Sequence, residues 1–223
     1  MEQRNIEFPF LGRYIQSAEV THSTRDVWFV LHGYGQLSTF FSKKFAVVAD
    51  RGAVIVVPEG LHRFYLEDVE HRASGLPSRV GASWMTREER LTDIANYLNY
   101  LHAIYRQVVP AGFLGCVTIL GFSQGAATAA RWAVSNEIRF NRLILWAGIF
   151  PDDLDFDAAH GVLANKQTVM VRGTADPFIT PERLAQSQKI LDQLKIQPTE
   201  LLFEGGHEIN SAVLQKLMAN TIQ

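Results

Sequence analysis

Short, uninterrupted apolar runs alternate along this chain with longer stretches whose apolar positions recur every three or four residues. DVWFVLHG (26–33), AVIVVPEG (53–60), CVTILG (116–121), RLILWAG (142–148), QTVMVRG (167–173) and TELLFEGG (199–206) are rich in β-branched and aromatic residues. Glycine or proline bounds most of them, which predicts buried strands. After Thr86 the period changes: Leu91, Ile94, Ala95, Leu98, Leu101, Ile104, Tyr105 and Val108 keep helical spacing. Thr86 with Glu89 predicts a capping box at that helix's start, and Pro110 its stop. QGAATAARWAVSN (124–136) predicts an alanine-rich helix and PERLAQSQKILDQLK (181–195) a helix with proline in its first turn. An amphipathic helix is expected to close the chain from about Asn210. Apolar strands alternating with helices predict an α/β fold, a mostly parallel central sheet with helices on both faces, as one domain over residues 1–223. In such a sheet, ligands bind outside the carboxyl ends of the strands, so reactive residues should lie just after strands.

They do. Ser123, in TILGFSQGAATAA, follows one predicted strand by two residues and opens a helix. A serine at a strand–turn–helix junction is held in a tight turn with its hydroxyl exposed, and glycines on either side let strand and helix approach. Ala126 and Ala127 keep the helix start slim, and its free N–H groups point to where an oxyanion would form. The bare G-x-S-x-G is common by chance, and the strand–turn–helix context is what makes Ser123 a candidate nucleophile rather than a turn serine. A serine nucleophile needs a base and an orienting acid, in the chain order Ser, acid, His. Of the two later histidines, His207 in FEGGHEIN directly follows the last strand, whereas His160 in DFDAAHGVLAN lacks a clear preceding strand; a surface-loop histidine is the plain alternative for His207. Asp176, in VMVRGTADPF, sits just past a strand and is the expected acid, the alternative being an Asx-type turn residue before proline. Its competitors Asp152, Asp153, Asp155 and Asp157 crowd into PDDLDFD, which reads as a solvated loop. The second oxyanion donor is expected from LHGYGQ (31–36), so the donors are the backbone N–H groups of Tyr34 and Gln124, with His32 tying the loop down.

The remaining bounds are negative. The 223 residues carry a formal net charge of −2 and are 47% apolar, enough for a sizeable core, with no basic footprint for nucleic acid or an anionic membrane. A single cysteine, Cys116, gives no intrachain disulfide framework and suits a cytoplasmic location. No signal peptide, membrane-length apolar run, repeat or metal-ligand spacing is expected.

HGYG, GFSQG, GTADPFIT and GGHEIN, in this order, resemble the phospholipase/carboxylesterase branch of the α/β-hydrolase superfamily, which includes bacterial carboxylesterases and acyl-protein thioesterases. The resemblance runs from about Asp26 to the C-terminus and is most specific in GFSQGA, because glutamine after the serine is typical of that branch. It implies an α/β-hydrolase fold without a large lid domain, with Ser123 as nucleophile, Asp176 as acid, His207 as base, and Tyr34 and Gln124 as oxyanion donors. GASWMTREER resembles the branch's S-W-F-D segment, with Met85 and Thr86 replacing F-D. Tyr34 stands where a small or aliphatic residue is usual, and 61–79 matches no pattern.

The activity implied is cleavage of carboxylic esters, or thioesters, of small soluble substrates through an acyl-enzyme, with no metal or organic cofactor. Pocket candidates are Tyr34, Phe64, Tyr65, Trp84, Met85 and Phe178, each otherwise a core residue; Arg63 and Arg79 are candidates for an acidic substrate group. A homodimer is left open. The rivals are a dienelactone-type hydrolase, disfavoured by serine rather than cysteine at 123, a non-catalytic binding protein on the same fold, and an interaction module displaying Trp28 or Trp132.

Overall fold

The computed structural model describes residues 1–219. Residues 220–223, the end of the expected last helix, lie outside the described residues. In chain order the elements are β1 (Tyr14–Gln16), β2 (Asp26–Leu31), α1 (Ser38–Phe41), a 3-10 turn (Ser42–Phe45), α2 (Ala46–Ala49), β3 (Val54–Pro58), β4 (His62–Tyr65), α3 (Val69–Ala73) and β5 (Val80–Ser83). There follow α4 (Arg90–Val108), β6 (Cys116–Phe122), α5 (Gln124–Ala133), β7 (Arg142–Trp146), α6 (Phe156–Leu163), β8 (Gln167–Gly173), α7 (Pro181–Leu194), β9 (Thr199–Phe203) and α8 (Ser211–Ala219).

Seven strands form one sheet in the order β1-β3-β2-β6-β7-β8-β9. All its pairings are parallel except β1 against β3, where Tyr14 faces Pro58. The near-continuous apolarity of the central strands β3, β2, β6 and β7 follows from burial on both faces. Val27, Phe29 and Leu31 point into a core closed by α4 to α7, with Leu101, Trp132, Leu163 and Leu194. Trp28 and Val30 point the other way, into a core closed by α1, α2 and α8, with Phe41, Val48 and Leu214. Trp28 and Trp132 are buried in these two cores, so neither is displayed for a partner.

The chain runs from β2 outward to β3 and then returns across β2 to β6. That reversal opens a crevice at the carboxyl ends of β2 and β6. LHGYGQ leaves the first of these strands and Ser123 the second, so the topology alone brings the two loops together.

One local expectation is corrected, and two stretches show detail that the sequence left open. Helix α4 begins at Arg90, not at a Thr86–Glu89 box: Glu89 adopts a left-handed conformation with no side-chain cap, while the Thr86 N–H donates to Asp93. The stretch 61–83 holds an antiparallel hairpin, β4 with β5, beside the main sheet. Its strands are short and the alternation is weak, so periodicity did not disclose it; the three residues of β1 are shorter still.

PDDLDFD is exposed at all four aspartates, as expected of a solvated run, but two of them accept hydrogen bonds. Asp155 caps α6 by accepting from the Ala158 N–H. Asp153 takes hydrogen bonds from Arg131 Nε and Nη2 at 3.0 and 2.9 Å, and one from Arg90 at 2.7 Å. The Arg131 side chain is only 8% exposed, and it also reaches the buried Tyr97 hydroxyl. Losing Asp153 would leave a largely buried guanidinium without its anion. Asp153→Ala is therefore expected to lower unfolding free energy by about 2 kcal/mol, and the further change Arg131→Met to restore most of it. Urea denaturation of the three variants checks this.

Candidate active site

Ser123 has φ 55° and ψ −117°, a conformation that L-residues avoid. Packing imposes it. A Cβ at Gly121 would overlap the Gly125 carbonyl, and one at Gly125 would overlap the carbonyls of Leu31 and His32. The first turn of α5 therefore rests directly on the ends of β2 and β6, and the chain between them must turn sharply. The Ser123 N–H donates to the Trp146 carbonyl at 2.8 Å, so it is occupied. The next amide, of Gln124, is the first of the helix and has no intrahelical acceptor.

The loop after β2 closes over this turn. Modest contact distances separate Gly33 from Ser123, since a Cβ added at Gly33 would lie 3.1 Å from Ser123 Cβ. Within the loop, the Gly33 N–H donates to Gln36 Oε1 at 2.8 Å, that of Gly35 to the Ala82 carbonyl at 2.9 Å, and that of Gln36 to the Gly33 carbonyl. Among the described residues, the Tyr34 N–H has no protein acceptor. The loop thus offers one free amide, at Tyr34, beside the free amide of Gln124.

His32 holds the loop from beneath. Its Nδ1 pairs with the Gly33 carbonyl at 2.8 Å and its Nε2 accepts from the Gly60 N–H at 2.9 Å, which requires the neutral Nδ1–H tautomer. Burial pushes the His32 pKa down, against smaller upward pulls from the Gly33 carbonyl and the Glu59 charge. Glu59 is buried too; burial alone would raise its pKa, but hydrogen bonds from Arg13 and Ser38 outweigh that and hold it low.

Asp176 and His207 meet at the adjacent strand ends. His207 Nδ1 lies 2.8 Å from Asp176 Oδ2, and the Asp176 side chain is fully buried while the His207 side chain is 20% exposed. Asp176 Oδ1 accepts from the Phe178 N–H at 2.9 Å, which fixes the carboxylate's orientation. The two loops fit because position 173 is glycine; a Cβ there would overlap the carbonyls of Gly205 and Gly206. Trp146 Nε1 donates to the Glu208 carbonyl and ties down the far side of the His207 loop. Phe122, the residue before Ser123, lies 4.9 Å from the His207 ring, and Phe178 stands edge-on to that ring at 4.7 Å. His160 is elsewhere, bonded through Nδ1 to the Leu194 carbonyl.

The Gln124 side chain has a role the sequence did not disclose. Its Nε2 donates to the Met85 carbonyl at 2.9 Å and its Oε1 accepts from the Trp84 N–H at 3.1 Å. Trp84, in turn, donates its indole N–H to the His32 carbonyl. Glutamine at 124 therefore clips the segment after β5 to the turn that carries Ser123.

An open cleft of about 290 Å³ starts at Ser123 and follows α5 away from His207. Its walls are Gln124 and Thr128 of α5, Met85, the 149–152 loop, and Arg183 and Gln186 of α7. Of the expected pocket residues only Met85 lies here. Trp84 is fully buried under the Tyr34 loop and is a support, not a wall. Tyr34 and Phe64 stack on each other at 5.0 Å, Tyr65 is covered by Arg72, and Phe178 packs on His207. Apart from Phe150, the cleft's other walls are small, aliphatic or polar, so a search for aromatics near the strand ends passed over them. Arg63 and Arg79 are both engaged, with Glu59 at 3.6 Å and Glu67 at 2.6 Å. Among the described residues, no group of three or more His, Cys, Asp or Glu side chains is placed to hold a metal ion, and no helix is long and apolar enough to cross a membrane.

The profile of the serine hydrolase (FSH1) family matches residues 23–216. No curated protein sequence matches the chain. Among solved structures, the protein YahD, crystallised with malic acid, superposes with a TM-score of 0.66 at 14% identity, covering 95% of this chain and 100% of its own. Acyl-protein thioesterase 2 of Zea mays gives 0.64 at 15% identity, over 94% and 99%. The carboxylesterase of Bacillus cereus gives 0.65 at 17% identity, over 94% and 92%. These likenesses show a shared α/β-hydrolase fold.

A ring held neutral in the fold but titrating normally when unfolded contributes stability that is complete above the ordinary histidine pKa of 6.5. That contribution is lost as pH falls below this value, because the unfolded chain then binds the extra proton. Wild type is expected to lose more stability between about pH 7 and about pH 5 than His32→Asn does, and urea melts of both proteins at the two pH values measure the difference.

Proposed function

The chain belongs to the serine hydrolase (FSH1) family, and from that membership we propose that it cleaves carboxylic esters, thioesters included, of small soluble molecules through an acyl-enzyme on Ser123. The observation that carries this reading is a strained serine at a helix start together with a histidine–carboxylate pair whose ring lies 4.9 Å from that of Phe122, the residue before the serine.

His207 takes the Ser123 proton through Nε2 as Oγ attacks the carbonyl carbon. Asp176, paired to Nδ1, holds the ring in the tautomer that leaves Nε2 free to accept, and stabilises the imidazolium that forms. The carbonyl oxygen, now an anion, receives the N–H groups of Tyr34 and Gln124, each such donor being worth about 10²–10³ in kcat. Protonated His207 then gives its proton to the leaving oxygen or sulfur. Water attacks the acyl-enzyme by the same route in reverse.

The loop amides of Gly33, Gly35 and Gln36 are already occupied, which leaves Tyr34's to face the reaction. The partly exposed setting of His207 over a buried Asp176 suits a base that must meet substrate while its partner stays dry. The esterase and thioesterase activities of the fold's neighbours accord with this reading.

Hydrolysis of a 4-nitrophenyl ester series by wild type and Ser123→Ala tests it. Activity is expected to fall by about 10⁴-fold or more in the variant, and a fluorophosphonate probe to label wild type at Ser123 only. Equal rates in the two proteins, with no labelling, would remove Ser123 as the nucleophile.

A further inference from the structure

The proposed mechanism divides the substrate between two sides of Ser123. The leaving group must lie against His207, which protonates it. The acyl group must lie on the other side, and there the cleft along α5 opens; His207 does not border it. What the cleft presents along its walls therefore selects the acyl group.

The charges along those walls differ in availability. Arg131 borders the cleft, but Asp153 already takes two of its hydrogen bonds. Arg183 also borders it, and among the described residues its guanidinium has no ion pair or hydrogen bond. Gln186 lies one helical turn further along α7 on the same wall, so the two side chains offer donors together. Arg183 stands in the first turn of α7, whose dipole adds to the attraction for an anion. On the 149–152 loop Asp152 borders the same cleft and is likewise unpaired among the described residues. The wall mixes apolar residues (Met85, Ala127, Ile149, Phe150 and Pro151) with polar and charged ones and is open to solvent rather than a closed apolar tunnel.

We infer that Arg183, with Gln186, binds a carboxylate at the distal end of the acyl group, so that the preferred substrates are half-esters or half-thioesters of dicarboxylic acids, with Asp152 opposing that charge and setting how strongly it is preferred. This rests on the esterase reading above. A planar guanidinium accepts a carboxylate through two parallel hydrogen bonds, a geometry an ammonium cannot copy.

The test compares mono-4-nitrophenyl adipate with 4-nitrophenyl hexanoate, equal in chain length and leaving group. The readout is the ratio of their kcat/KM values, half-ester over neutral ester. Wild type is expected to favour the half-ester. Arg183→Gln is expected to lower the ratio about tenfold, as the loss of a charged hydrogen-bonding partner does. Arg183→Lys should keep part of it, and Asp152→Asn should raise it. Added salt should lower the wild-type ratio and leave that of Arg183→Gln nearly flat. A wild-type ratio at or below one, or a ratio that Arg183→Gln leaves unchanged, overturns the assignment. Fluorophosphonate labelling of Ser123 in each protein separates the two levels: labelled enzyme with an unmoved ratio sinks the carboxylate subsite alone, whereas unlabelled enzyme inactive on both esters sinks the hydrolase reading and this subsite with it.

Discussion

The first turn of α5 lies against the ends of β2 and β6 with backbone touching backbone, and no Cβ fits at Gly121 or Gly125. That close approach shapes the rest of the site. It compels the unusual backbone angles of Ser123, since only a sharp turn joins a strand to a helix seated directly on top of it. It aims the helix's unpaired amides and dipole at the same point as the serine oxygen. It also sets the height at which the Tyr34 loop can close, with Gly33 in contact with both Phe122 and Ser123. A wider gap would remove the strain, the alignment of donors and the loop contact together.

Around this contact several buried polar groups form separate hydrogen-bonded clusters, most of them fastening a loop on the carboxyl rim of the sheet. Glu59 gathers Arg13 and Ser38 and so joins the chain before β1 to the start of α1. His32 bridges Gly33 and Gly60, fixing the loops after β2 and β3 to each other. Arg131 and Asp153 hold the loop after β7 against α5. Arg142 does similar work at the opposite end of the sheet, between Thr118 and the Leu217 carbonyl, with its guanidinium 4.8 Å from the Trp28 ring. The apolar layers set the gross position of the elements, and these directional bonds set the loops to the fraction of an ångström that proton transfer requires.

Six strands of the sheet were legible because the inner parallel strands, buried on both faces, are apolar at nearly every position, a signal that needs no phase, and the edge strand β9 keeps the apolar stretch 201–203 before its glycines. Ser123, Asp176 and His207 stood out as candidates for a related reason: each comes shortly after a strand, and the structure sets Asp176 and His207 2.8 Å apart at adjacent strand ends. What escaped reading depends on partners distant in sequence. The β4–β5 hairpin is specified by docking on the Gly35 loop, where Gly81 admits the Gly35 carbonyl, and not by any alternation of its own. Asp153 looked solvated because its partner Arg131 lies 22 residues away on another element. The start of α4 slipped to Arg90 because Asp93, inside the helix, takes the Thr86 amide that a capping box would have used locally. The cleft walls escaped because they come from α5, α7 and a loop, which meet only in three dimensions.

The base of the hairpin is fastened to the body: Ala82 pairs with Gly35 and Gln36, the Gln124 side chain spans Trp84 and Met85, and His62 and Arg63 lie against Asp93 and Glu59. It shares no strand pairing with the seven-stranded sheet. Its tip, residues 66–78, is exposed at most positions. That tip is a part whose outline can be redrawn without disturbing the frame, provided the base keeps its contacts. A scaffold organised this way can acquire new substrate preferences by exchanging one module while its chemistry stays fixed.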